Sequence, residues 1–156
     1  MIIVCDTNED RVIRLHGNTM VYWVKCKACK NEDELWERFA QVLNVPFAMT
    51  HNFDALADVM CDLSWLGQRE VCVVLQDFMH PFSDVDKGRS AQWARVLIAV
   101  QEQIDELIEI DESVQLLRRL HIVFCMDRQH SGAKRFRRDL EEIAADQRVP
   151  LIWLPH

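Results

Sequence analysis

Glycine and proline occur only four times each in 156 residues, which leaves few candidates for long linkers. No apolar stretch approaches the ~20 residues needed to span a bilayer. The opening "MIIVCDTNED" lacks a basic start and meets its first charge straight after the "MIIVC" run, too soon for a secretory signal. A cytoplasmic protein without membrane contact is therefore expected. Excess positive charge is also missing: 18 Lys and Arg stand against 25 Asp and Glu, for a net charge of −7. That balance argues against binding the phosphate backbone of nucleic acid, which needs a basic footprint. It suits a protein that meets a basic partner.

Several kinds of chemistry lack their residues. Cys26 and Cys29 form "CKAC", the spacing of a zinc knuckle, but no second pair or spaced histidines follow to complete four ligands. A thioredoxin-type motif opens a helix after a strand, whereas lysines and "NEDE" intervene here. Cys5, Cys72 and Cys125 lie in short apolar runs, where cysteine acts as a small buried hydrophobe. No Ser/His/Asp or Cys/His setting marks a nucleophilic hydrolase, and His121 and His156 read as structural or terminal. No metal and no cofactor is expected, and no catalytic residue.

What is there is an alternation of strand-like and helix-like segments. "MIIVCD" and "RVIRLHG" read as short strands around a polar turn, and "MVYWVKC" as a third. In "NEDELWERFAQVLNVP", Asn31 can cap a helix with Glu32, Asp33 and Glu34 in its first turn, where the dipole favours negative charge. Leu35, Trp36, Phe39, Val42 and Leu43 recur at helical spacing, and Pro46 is expected to end the element. "HNFDALADVMCDLSWL" repeats the device: Asn52 caps, Phe53, Leu56, Ala57, Met60 and Leu63 make an apolar stripe, and Gly67 suits the end. Beside that stripe Asp54, Asp58 and Asp62 follow one another at four-residue intervals.

"EVCVVLQD" and "LHIVFCMD" read as strands covered on both faces. Between them Trp93, Val96, Leu97, Val100, Ile104, Leu107 and Ile108 mark a long helix with a break expected near Asp111. Ser131 is expected to cap "GAKRFRRDLEEIAADQ", with Phe136, Leu140, Ile143 and Ala144 inward, before a last strand in "VPLIWLPH". The alternation predicts an α/β fold with a mainly parallel sheet.

The order strand, helix, Pro-containing loop, Asn-capped acidic helix, strand, long helix, strand resembles the barstar family of intracellular ribonuclease inhibitors. The resemblance covers roughly Val21 to Met126 and is closest in "DELWERFAQVLNVP" and "NFDALADVMCDLSWL". It implies one barstar-like domain over 1–156, with a core of about 20–127 and extensions at 1–19 and 128–156. The extensions would add N-terminal strand material and a C-terminal helix–strand unit. It also implies a protein that is no enzyme. In the family the acidic helix and the loop before it plug a ribonuclease active site, with carboxylates where substrate phosphate would lie. Asn52, Asp54 and Asp58 match that helix, and Asp62, Met49, Thr50, His51 and Trp65 surround it as partner-binding candidates. The implied partner is a cognate ribonuclease or ribonuclease toxin, with this chain as its immunity protein. "FAMTH" stands where barstar has a tyrosine pair and glycine, and Ala57 where it has a tryptophan. These departures bear on which nuclease is met.

A second constellation points elsewhere. Asp6, Asp77 and Asp127 each follow an apolar run, so parallel strands would gather them at the sheet's C-terminal edge. Carboxylates there could hold Mg²⁺ for phosphotransfer or hydrolysis, although turn aspartates are the commoner reading. Lys134, Arg135, Arg137 and Arg138 form a basic cluster. Three of them stand four residues before acids (Asp139, Glu141 and Glu142), which favours a self-neutralised helix face. Trp36 and Trp93 belong to inward stripes.

Overall fold

A computed structural model describes residues 1–5, 19–82, 88–110 and 119–154. Among these residues five strands form one sheet: β1 (Ile2–Cys5), β2 (Met20–Lys25), β3 (Glu70–Gln76), β4 (Arg119–Cys125) and β5 (Leu151–Leu154). Their order across the sheet is β2-β3-β4-β1-β5, and every pairing is parallel. Four helices accompany them: α1 (Glu32–Val42), α2 (Phe53–Asp62), α3 (Arg89–Ile110) and α4 (Ala133–Asp146). The α/β reading with a parallel sheet, an added N-terminal strand and a C-terminal helix–strand unit holds. The strand expected in "RVIRLHG" and the break near Asp111 lie outside the described residues.

Alternation along the strands divides the interior in two. Ile2, Val4, Val71, Val73, Leu75, Ile122 and Phe124 point to one face, where the inward sides of all four helices join them. Ile3, Cys5, Cys72, Val74, Val123 and Cys125 point to the other face and are equally buried. This two-sided burial is why β3 and β4 read as continuous apolar runs instead of alternating ones. From β2 to β3 to β4 the chain moves one place at a time with helices on one face, as right-handed crossovers require.

Capping explains where α1 and α2 begin. The Asn31 side chain accepts from the Glu34 backbone N–H at 3.0 Å, and that of Asn52 from the Ala55 N–H at 2.8 Å. Three expected boundaries are corrected. Helix α1 stops before Pro46, because Asn44 takes a left-handed φ of 49° and the Val45 N–H turns back to the Ala40 carbonyl. Helix α2 ends at Leu63, itself left-handed at φ 43°, while Gly67 closes the short 3₁₀ turn Ser64–Leu66 that follows. Burial of Leu63 holds it in a backbone shape that glycine would adopt freely. Ser131 does not cap α4; Gly132 occupies that position and makes no side-chain cap.

Candidate functional site

The α1–α2 connection and the outer side of α2 form the surface on which the sequence candidates meet. Leu56, Val59, Met60 and Leu63 sink into the core, with Phe53 and Ala57 packed at its margin. The opposite side of the helix therefore faces out, and Asp54, Asp58 and Asp62 are all exposed on it. The Asp54 and Asp58 carboxylates make no hydrogen bond or ion pair with any described residue. Asp62 is different: its Oδ1 accepts from the Ser64 N–H at 3.2 Å and so helps to shape the turn after the helix. The free pair is Asp54 and Asp58, one turn apart. Each such like-charge pair costs the isolated helix a few tenths of a kcal/mol.

The loop before α2 is tied down at several points. Met49 packs against the core, Thr50 is exposed, and the Thr50 carbonyl accepts from the Asn52 N–H. His51 stacks on Trp36 with ring centroids 5.9 Å apart, and its Nδ1 lies 3.3 Å from Asp33 Oδ1. Trp65 is half-buried, and its indole N–H donates to the Leu43 carbonyl at 2.9 Å. The end of α2 is thereby fastened to the end of α1.

Beneath the face lies a group of residues that the sequence did not single out for the site. Arg89, in the first turn of α3, donates to both carboxylate oxygens of Glu32. The Trp93 indole N–H donates to the same carboxylate at 3.1 Å. Arg89 also lies over the Phe53 ring, 4.7 Å from its centroid. Burial alone would raise the Glu32 carboxyl pKa, but the Arg89 and Trp93 donors and the Arg89 charge outweigh it and hold the group below its ordinary value. Trp36 and Trp93 are 4.1 Å apart, and Phe53 joins both. This knot binds the N-terminal ends of α1, α2 and α3 together. The one signal in the sequence is an arginine at a helix start, where the dipole disfavours it.

The strand-end aspartates take a different form. Parallel strands do bring Asp77 and Asp127 to one edge, where they line a cavity of about 20 Å³ with Lys27, Met79, His80 and His130. That is room for about one water. Asp127 Oδ1 accepts from the Gln129 N–H at 2.9 Å and shapes a turn, and Asp77 takes a left-handed φ of 53° in another. Asp6 lies outside the described residues. Among the described residues no group of three His, Cys, Asp or Glu side chains is placed to hold a metal ion.

Cys26 and Cys29 are buried around a short 3₁₀ turn, their thiols directed at the Val24 and Lys25 carbonyls. Burial pushes both thiol pKa values up, opposite to what a reactive or metal-binding cysteine needs. In the basic cluster Arg135, Arg137 and Arg138 pair with Asp139, Glu141 and Glu142 at 3.8, 3.5 and 4.0 Å. His121 Nε2 lies 2.8 Å from Glu70 Oε1 across β3 and β4, a cross-strand contact. His156 lies outside the described residues. No helix of the described residues is long and apolar enough to cross a membrane.

The sequence model of the family described as "Barstar (barnase inhibitor)" matches residues 19–117, which spans the α1–α2 surface, β2, β3 and α3. No curated protein and no solved structure shows a significant match to the chain.

Proposed function

The chain belongs to the barstar family, and from that premise we propose that it inhibits a ribonuclease by laying α2 and the preceding loop into the enzyme's active-site cleft. The observation that carries the reading is the pair Asp54 and Asp58. These carboxylates are exposed, unpaired among the described residues, and fixed on a capped helix whose other side is locked into the core. A ribonuclease cleft must be cationic to hold phosphates, so such a face is steered towards it and stands in for the RNA strand. A helix already fixed before contact loses little freedom on binding. Asn52, Thr50, His51, Met49, Asp62 and Trp65 border the pair and complete the contact surface.

The proposed setting is the cytoplasm, with a target that is either the cell's own secreted ribonuclease before export or a toxin delivered by competitors. We further propose that residues 1–156 form one domain. Placement of β1 between β4 and β5 supports this, since it builds the N-terminal extension into the sheet.

The test is RNA cleavage by barnase, and by any ribonuclease encoded beside the gene for this chain, with and without the purified protein. At least one enzyme should be inhibited, and the double variant Asp54→Ala/Asp58→Ala should lose the inhibition while its melting temperature stays within ~2 °C, because exposed substitutions cost little. Undiminished inhibition by the double variant would place the contact elsewhere.

A further inference from the structure

We infer that Phe47, held against Trp65, selects the target: a ribonuclease whose cationic cleft is bordered by an apolar pocket able to take a phenyl ring. The inference rests on the proposed inhibitory face and adds the determinant that carboxylates alone do not supply.

Phe47 is the most exposed large hydrophobic side chain among the described residues, at 54% against 45% for Met20, 43% for Leu107 and 41% for Ile152. A single exposed apolar side chain is ordinary. Its support and position are not. The ring meets Trp65 edge-on, with centroids 5.9 Å apart and planes at 80°. Trp65 is in turn anchored to the Leu43 carbonyl and packed against the core. On the other side of Phe47, the Val45 N–H is bonded to the Ala40 carbonyl at 3.0 Å, and Pro46 restricts the backbone between them. The phenyl ring is thus displayed on a fixed platform, and fixing it further costs a partner little.

Position ties the ring to the acidic row. Trp65 lies just past the C-terminal end of α2, beside the turn that holds Asp62. Helix α2 rises about 15 Å over its length. The row that begins at Asp54 and passes through Asp58 ends at Asp62, whose Oδ1 accepts from the Ser64 N–H one residue before Trp65, so the chain itself carries the row's end to the aromatic pair. Exposed charges raise the rate of encounter, whereas buried aromatic anchors lengthen the life of a complex. On this surface Phe47 serves only the second role, whereas Asp54 and Asp58, seated in the cleft, serve both.

Association and dissociation kinetics separate them. The probes are barnase and the ribonuclease encoded beside this chain's gene, each in catalytically inactivated form. Phe47→Ala should raise koff by about tenfold or more, as loss of an aromatic hot spot does, with kon changed less than twofold and its salt dependence unaltered. Asp54→Ala/Asp58→Ala should lower kon and flatten its salt dependence as well as raising koff. Trp65→Phe, which removes the bond to Leu43, should raise koff clearly less in the Phe47→Ala background than when Phe47 is present. A wild-type koff for Phe47→Ala, beside a clear defect in the aspartate variant, overturns this inference and leaves the inhibitory reading standing. Failure of the wild-type chain to bind either probe overturns both.

Discussion

At the scale of single residues, the surface combines side chains with opposite duties. Asp54 and Asp58 face outwards, unpaired among the described residues, while Glu32 at the start of α1 is satisfied by Arg89 and Trp93. The depressed Glu32 pKa sets a testable acid limit. Stability from the Glu32–Arg89 pair is fully present above the unfolded carboxyl pKa, near 4.5. It is lost as pH falls through the lower folded value. Thermal melts of Glu32→Gln and wild type between pH 7 and pH 3 should therefore converge towards the acid end, with wild type the more stable at neutral pH. A constant gap across the range would mean that the carboxylate charge contributes nothing.

At the scale of elements, caps decide more than composition. Asn52 serves α2 with a real hydrogen bond, whereas Ser131, an equally good candidate by sequence, makes none for α4. Asn52→Ala should cost about 1 kcal/mol, or roughly 2–4 °C in Tm for a chain of this size. Ser131→Ala should stay within about 0.5 kcal/mol of wild type. Equal losses would show that local hydrogen-bond geometry does not govern these helix starts. The same contrast marks what was legible in the sequence. Period and cap gave α1 and α2 from Asn31 and Asn52 onwards, and the aspartate row with them. The ends were less readable, because Leu63 adopts a left-handed conformation only under tertiary burial, where local propensity favours Gly67. Arg89, Glu32 and Phe47 were not legible as parts of the site. Their roles depend on α1, α2 and α3 converging, and no short-range pattern encodes that meeting.

At the scale of the whole molecule, the sheet and its one-sided helical layer act as a stiff mount for the α1–α2 surface. The large core, with Trp36, Phe39 and Trp93 fully buried below α2, keeps that surface in one shape. Trp93→Ala should cost about 3–5 kcal/mol and weaken inhibition along with stability, as seen by denaturant melts run beside inhibition assays. Full stability in that variant would argue against a load shared between core and site. The net charge of −7 adds a long-range attraction for any basic enzyme. It should fade as salt shortens the screening length from ~10 Å at 0.1 M to ~3 Å at 1 M.

Steady-state kinetics of the target ribonuclease on a short RNA, at several fixed concentrations of this chain, test occlusion of the cleft most directly. Substrate and protein should exclude one another: apparent KM should climb with each addition, kcat should hold, and Asp54→Ala/Asp58→Ala should produce neither effect. A fall in kcat at unchanged KM would show that both occupy the enzyme together, and would contradict carboxylates seated in the place of RNA phosphates.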